Sequence, residues 1–162
     1  MPVTVVSLGG LKLVGLKVVG RRSELSHRVP LAWTELLARL GDIPHRVAPD
    51  VFYGVSPESD YLGDSADAVY TYWVCTEVSG CDTVAPGLAT LHLAPATYAM
   101  ARVVGTAEAI ESTYLGLADW LAGHGRLTDG AAHSLERYDV RNQPVTPPYT
   151  TFDYEILKPL RP

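Results

Sequence analysis

A chain of 162 residues with 47% hydrophobic and 19% charged residues has the size and composition of one globular domain, spanning residues 1–162, and not of a disordered or fibrous protein. Its net charge of −5 and its scattered basic residues argue against a nucleic-acid surface, so we expect no direct nucleic-acid binding. Because no apolar run reaches the roughly 18 residues of a membrane span and the start of the chain does not resemble a signal peptide, we expect a cytoplasmic protein without membrane contact.

The first half of the chain predicts three strands and one helix. Residues 3–20 are rich in valine, leucine and threonine, which is typical of a strand. Residues 50–56 and 68–79 are two further strand candidates. Pro57 and Gly63 mark a loop between them.

The first predicted helix is indicated by apolar residues at helical spacing. Its apolar stripe consists of Val29, Trp33, Leu36 and Leu40. Pro30 suits the first turn of a helix, and Gly41 suits its end. We therefore expect a helix that begins near Pro30, stops at Gly41 and packs Trp33 against a sheet.

The second half of the chain predicts the same order of elements. Residues 88–104 predict a strand, Thr106 is a candidate helix N-cap and Gly123 a candidate helix end. The apolar stripe between them consists of Ile110, Tyr114, Leu117 and Leu121. Residues 133–140 and 150–160 predict two further strands.

The two halves match in spacing as well as in order. Ile110 lies 81 residues after Val29, and the near-copies KVVG and RVVG close the first strand of each half. Coincidental symmetry in an ordinary α+β domain is the alternative, but the matched order favours a duplication. We predict an α+β fold of duplicated β-α-β-β units, about residues 1–81 and 82–162. They would form an antiparallel sheet with two helices on one face and a cleft at the pseudo-twofold seam.

The sequence contains none of the standard catalytic or metal-binding motifs. It has no phosphate-binding loop, no nucleophile elbow and no dinucleotide fingerprint. The histidines and cysteines lack metal-ligand spacing, so we assign no catalytic residue, metal or cofactor. Two free thiols at Cys75 and Cys81 fit a reducing compartment, and a local disulfide between them is the alternative.

Strand positions combine aromatic side chains with carboxylates. In YTYWVCTEVSGC (70–81), Trp73, Cys75 and Glu77 share one strand face. The candidate ligand-binding residues are Glu77, Trp73, Tyr98, Glu136, Tyr138, Phe152, Tyr53 and Glu155. Packing in the core is the alternative for each aromatic residue of this set.

Aromatic walls around an acid fit an organic cation. A carboxylate on an apolar face costs free energy unless a donor or a cation meets it. Aromatic faces attract a cation, and the carboxylate neutralises it. We therefore predict a small hydrophobic, aromatic and cationic ligand, and we expect the face of Trp73 and Glu77 to line the cleft, with Glu77 as the counter-charge.

Five stretches, in this order and spacing, carry a family resemblance. They are ELSHRVPLAWTELLARLG (24–41), YWVCTEVSG (72–80), VAPGLATLHLAPATYAMARVVG (84–105), ERYD (136–139) and FDYEILKP (152–159). With them, nearly the whole chain resembles the GyrI-like small-molecule-binding domain, the effector-binding module of AraC-type and MerR-type multidrug-responsive activators. The resemblance implies a duplicated strand-helix-strand-strand fold with a cleft of tyrosine, tryptophan and phenylalanine around a buried glutamate.

The resemblance also implies roles for individual residues. Glu77 falls on the glutamate of the family's E-V strand motif, and Tyr98 matches the tyrosine of its P-x-x-Y-A motif. Glu136 and Tyr138 fall on the penultimate strand, where multidrug-binding members place their acid, and Phe152 matches an aromatic residue of the last strand. Which glutamate meets the ligand stays open, because a strand bulge reverses the face to which a side chain points.

The function implied by the resemblance is ligand capture. Residues 1–162 contain no DNA-binding motif, so we expect a stand-alone binder instead of a direct activator. Two alternatives remain: a hydrolase of reactive cyclopropane-containing natural products that uses the same cleft, and a protein–protein inhibitor of gyrase type. A homodimer is compatible with the sequence, which fixes neither the oligomeric state nor the ligand.

Overall fold

An antiparallel sheet forms the centre of the computed structural model, which describes residues 1–63 and 68–162. Its strands in these ranges are β1 (Thr4–Leu8), β2 (Leu11–Arg21), β3 (Val51–Pro57), β4 (Val69–Glu77), β5 (Ala89–Leu93), β6 (Ala96–Gly105), β7 (His133–Asp139) and β8 (Phe152–Pro159). The helices are α1 (Arg22–Ala38), α2 (Ser59–Leu62) and α3 (Ala107–Gly123). No helix in the described ranges is long and apolar enough to cross a membrane.

The strand order is symmetric about the middle of the sheet. It runs β1-β6-β8-β7-β3-β4-β2-β5, and neighbouring strands pair antiparallel. The counterparts in the two halves are β1 and β5, β2 and β6, β3 and β7, and β4 and β8. Exchanging every strand with its counterpart gives the same order in reverse, so a pseudo-twofold axis passes between β3 and β7. The predicted fold class is confirmed: β2-α1-β3-β4 and β6-α3-β7-β8 form one antiparallel sheet, with a long helix in each unit.

The segment predicted as one strand over residues 3–20 is instead two strands. Gly9 and Gly10 separate β1 from β2, and the two strands lie in different parts of the sheet. β1 pairs with β6 of the other half, and β5 pairs with β2 in the same way. Each half therefore gives its first strand to the edge of the other, an exchange that strand propensity alone does not predict.

The first helix begins and ends earlier than predicted. The backbone N–H of Arg21 donates to the Glu24 carboxylate at 3.0 Å, so the first turn is fixed well before Pro30, which lies inside α1. This helix ends at Ala38, and Gly41 belongs to a short 3-10 turn that follows it. The second helix has the predicted ends, with Thr106 at its N-cap position and Gly123 as its last residue.

Both long helices cover the same face of the sheet. α1 packs on β2 and β4, and its Trp33 and Leu36 lie in one buried cluster with Phe52 of β3 and Val74 of β4. α3 packs on β6, where Leu117 and its neighbours cover the inner residues of β6 and β8. Tyr138 lies between the two helix-covered clusters and packs against both.

The opposite face of the sheet packs against itself. Its buried residues, here called the opposite-face cluster, are Leu11, Leu13, Tyr53, Val55, Trp73, Cys75, Leu93, Tyr98, Leu135 and Leu157. Each is at most 8% exposed, although the long helices lie on the other face. The sheet is therefore curved, so that the side chains of this face pack against one another and are buried.

Candidate functional site

A cleft of about 410 Å³ lies between α1 and α3, over the strands at the pseudo-twofold axis. Its aromatic lining consists of Trp33, Tyr72, Tyr138, Tyr149, Phe152 and Tyr154. Aliphatic side chains that include Val29, Ile110 and Val145 complete the walls. Among the lining residues of the described chain, Glu136 is the one carboxylate, and the charged side chain of Arg22 lies at the exposed rim.

The connection between β7 and β8 forms one wall of the cleft and is held by side-chain hydrogen bonds. The backbone N–H of Asp153 donates to the buried Gln143 side chain at 2.6 Å. The Tyr149 hydroxyl donates to the carbonyl of Val145 at 2.8 Å. Aromatic residues of this loop and of β8 thus reach the cleft from a segment with fixed geometry.

Glu136 lies on the floor of the cleft. On β7 it is paired with Gly54 of β3 and Ile156 of β8. The Tyr72 hydroxyl donates to its Oε1 at 2.7 Å. Burial raises the pKa of Glu136, and the hydroxyls of Tyr72, Tyr138 and Tyr154 and the charge of Lys158 only partly oppose this rise. The ionised carboxylate is therefore costly among these buried groups.

The tyrosines around Glu136 act as neutral donors. Burial is the largest cause that raises the pKa of Tyr72, Tyr138 and Tyr154, and the charge of Glu136 raises each of them further. The rings of Tyr138 and Tyr154 stack at 4.8 Å, and Trp33 meets Tyr138 edge-on at 5.7 Å. The carboxylate thus lies against an aromatic wall whose hydroxyls keep their protons.

Gly54 allows Tyr72 to reach Glu136 across the middle strand β3. A Cβ at this position would lie 1.8 Å from the Tyr72 hydroxyl oxygen and 3.2 Å from the Glu136 Oε1. The absence of a side chain at Gly54 is therefore a condition for the hydrogen bond that crosses from β4 to β7.

Replacing Gly54 with alanine is expected to displace the Tyr72 hydroxyl from Glu136. Because that hydrogen bond lowers the pKa of Glu136, its loss should raise the pKa further, which carboxyl-carbon NMR titration would measure. Overpacking should also lower the free energy of unfolding by roughly 1–3 kcal/mol. Gly41→Ala is the matched control, since a Cβ there meets nothing within 4 Å. Indistinguishable titrations for the two variants would mean that Tyr72 does not depend on Gly54.

Three of the eight candidate residues line this cleft, namely Glu136, Tyr138 and Phe152. The other five do not. Trp73, Tyr53 and Tyr98 belong to the opposite-face cluster. Glu155 lies outside that cluster but on the same sheet face, where it pairs with Arg137 at 2.8 Å. Glu77 follows Trp73 and Cys75 on the same side of β4, and partial burial raises its pKa.

The expectation that the face of Trp73 and Glu77 lines the cleft is therefore corrected. Side chains alternate along β4, and α1 and α3 cover the face of Tyr72 and Val74 instead. Sequence analysis missed four aromatic lining residues: Trp33, Tyr72, Tyr149 and Tyr154. Tyr72 could have been found from the sequence, because it precedes Trp73 on the same strand and its side chain therefore points to the opposite face. Trp33 was predicted only to pack its helix against the sheet.

The described residues offer no arrangement suited to metal binding. Within residues 1–63 and 68–162, no group of three or more histidine, cysteine, aspartate or glutamate side chains is placed to hold a metal ion. Cys75 and Cys81 are both free thiols, and burial raises the pKa of the Cys75 thiol. The chemistry that the cleft offers is that of one carboxylate, tyrosine hydroxyls and aromatic faces.

Comparison with known proteins agrees with this architecture. Residues 1–161 match the family model of the GyrI-like small molecule binding domain. No curated protein sequence matches the chain.

Several solved structures share the fold. A putative bacterial transcription regulation protein from Staphylococcus aureus has a TM-score of 0.67 and 16% identity, covering 100% of this chain and 99% of its own. SAV2435, solved with bound tetraphenylphosphonium, has a TM-score of 0.66 and 15% identity over 99% of this chain and 94% of its own. EcmrR, from a complex with DNA, has a TM-score of 0.70 and 11% identity over 98% of this chain and 57% of its own.

Proposed function

The chain belongs to the family of GyrI-like small-molecule-binding domains, and we propose that it binds hydrophobic aromatic cations in the cleft around Glu136. The observation that carries this proposal is a carboxylate with a raised pKa on the floor of an aromatic cleft. The volume of about 410 Å³ is in the range of sites for drug-sized molecules.

The charge balance of the cleft favours a cation over an anion or a neutral molecule. Lys158, the basic side chain whose charge lowers the pKa of Glu136, is paired with Glu58 at 3.0 Å. When ionised, Glu136 therefore carries a negative charge that the neutral tyrosine hydroxyls solvate only in part. An organic cation would pair with it and place its own aromatic groups on the faces of Trp33, Tyr138 and Tyr154.

The likeness to SAV2435 supports the choice of ligand class. That protein has this fold and was solved with tetraphenylphosphonium, a bulky aromatic cation with a single charge. A ligand of this kind needs a wide apolar cleft and one counter-charge, and both are present around Glu136.

A matched pair of probes tests the proposal. Methyltriphenylphosphonium is a cation, and triphenylphosphine oxide is a neutral molecule of nearly the same size and shape. In isothermal titration calorimetry we expect the cation to bind at least roughly tenfold more tightly than the phosphine oxide. An attraction to one charged group, Glu136, in a partly buried site implies a difference of this size. Equal affinities, or no binding of either probe, would contradict the proposed function.

Cation affinity is expected to fall as the pH is lowered through the raised pKa of Glu136. Ligand charge favours the ionised carboxylate, and protonation removes the attraction. Since burial raises this pKa, the loss should begin above the range in which an ordinary glutamate titrates, about pH 4.3. Calorimetric titrations over a pH series would measure it, and affinity for the neutral phosphine oxide should stay flat. A cation affinity that is independent of pH down to this range would show that Glu136 is not the titrating counter-charge.

A further inference from the structure

A buried ion pair lies beside Glu136 on the helix-covered face of the sheet. The Lys158 Nζ is 3.0 Å from the Glu58 Oε1, and the two side chains are only 8% and 3% exposed. The ammonium also lies 3.3 Å from the centre of the Tyr61 ring and 5.3 Å from that of Tyr114. The lysine charge is thus held by one carboxylate and two aromatic faces.

Lys158 is also close enough to Glu136 to affect its charge. Leu135 pairs with Leu157 and Glu136 with Ile156, so Lys158 is diagonal to Glu136 on the same sheet face. Diagonal neighbours on adjacent strands lie roughly 7–8 Å apart. The charge of Lys158 lowers the pKa of Glu136. Burial lowers the pKa of Lys158 itself, and the charges of Glu58 and Glu136 only partly oppose this. Without Glu58, the lysine would therefore serve as the internal counter-charge of Glu136.

We infer that Glu58 is a positioning residue that sets the charge preference of the cleft. By holding and neutralising Lys158, it leaves Glu136 as the unneutralised carboxylate of the group. The formal charges of Glu58, Lys158 and Glu136 sum to one negative charge, which one monocation balances. This inference rests on the proposed function, because it explains why the cleft would select cations.

Two variants separate the charge of Glu58 from its structural role. In Glu58→Gln, Lys158 and Glu136 balance each other, so affinity for methyltriphenylphosphonium should fall on the order of tenfold, with triphenylphosphine oxide unaffected. In the double variant Glu58→Gln with Lys158→Met, the single negative charge is restored. Its cation affinity should return to within about threefold of the parent, since replacing both partners of a buried pair leaves no unpaired charge.

The two variants make the inference falsifiable even where one of them fails to fold. Parent-like cation affinity in folded Glu58→Gln would overturn it. So would a double variant that binds the cation more than roughly tenfold less tightly than the parent, whether or not the single variant folds. A merely structural role for Glu58 would weaken both probes equally, and the double variant would not rescue it.

A readout without ligand distinguishes this inference from the proposed function. Carboxyl-carbon NMR titration of the free protein should show a lower pKa for Glu136 in Glu58→Gln than in the parent, because the lysine charge is no longer neutralised. In the double variant the pKa should not be lowered. If the parent binds no phosphonium, the proposed function fails while this titration still tests Glu58. If the pKa does not fall in Glu58→Gln, the inference fails whatever the parent binds.

Discussion

Replacing Glu136 with glutamine is expected to weaken binding of methyltriphenylphosphonium by roughly 10- to 100-fold while binding of triphenylphosphine oxide stays within about threefold. Glutamine keeps the shape of the side chain, and its carbonyl oxygen still accepts the hydrogen bond from Tyr72. The substitution therefore removes the negative charge and little else. Calorimetric titration of both probes into parent and variant measures the two effects separately.

Glu77→Gln is the matched control for this experiment. Glu77 is also a strand glutamate with a pKa raised by burial, but it lies on the opposite face of the sheet from the cleft. We expect this variant to bind both probes as the parent does. Loss of cation binding in Glu77→Gln together with normal binding in Glu136→Gln would place the ligand on the opposite face.

The substitution Glu136→Gln also separates ligand binding from stability. The pKa of Glu136 is raised in the folded state, so its contribution favours folding below the unfolded-state pKa and is lost as the pH rises through the folded-state value. Above the folded-state pKa, the ionised Glu136 therefore costs the folded state free energy. Glu136→Gln should then unfold at an equal or higher denaturant concentration than the parent while it binds cations poorly, and such a trade-off is typical of a binding site.

The fold was largely predictable because helical periodicity and element order are local signals. The stripe of Trp33 and Leu36 and the stripe of Tyr114 and Leu117 place two helices in equivalent positions, and strands follow each. The exchange of β1 and β5 between the halves was not predictable, since it depends on pairing between residues far apart in the chain. Helix ends were uncertain for a similar reason: the cap at Arg21 depends on one hydrogen bond to Glu24.

The face that lines the cleft was not predictable from strand patterns. In β4, Trp73 and Cys75 on one side and Tyr72 and Val74 on the other are all apolar or aromatic, because both faces of the sheet are packed. Alternation separates the two sets but does not say which set the helices cover. Which set the helices cover depends on the side of the sheet to which the connections carry α1, and this side is a property of the tertiary fold.

The charges around Glu136 were equally hidden in the sequence. Glu58 and Lys158 are 100 residues apart, and each alone has the pattern of a surface residue. Their pairing is a consequence of the order β8-β7-β3, which brings the end of the chain next to the residues that follow β3. The sequence predicted an acid among aromatic residues. The ion pair of Glu58 with Lys158, which we infer leaves Glu136 without a counter-charge, is visible only in the folded chain.

Replacing Trp33 with alanine is expected to lower the free energy of unfolding by roughly 3–5 kcal/mol, the usual cost of emptying a buried aromatic site. Trp33 is 3% exposed and meets Phe52 and Tyr138 edge-on, at ring distances of 6.3 and 5.7 Å. Removing the indole leaves a cavity between α1 and the sheet at the wall of the cleft. Urea unfolding without ligand measures the loss, and the slope of the transition shows whether unfolding stays two-state.

Leu31→Ala is the control for the helix itself, because Leu31 lies on α1 and is 69% exposed. It should change the free energy of unfolding by no more than about 0.5 kcal/mol. A loss below about 1 kcal/mol for Trp33→Ala would mean that the indole contributes little to the core and acts mainly as a wall for the ligand. A large loss instead means that the same side chain builds the fold and the cleft, so Trp33→Phe, which keeps an aromatic wall at a smaller volume, should recover part of both stability and cation affinity.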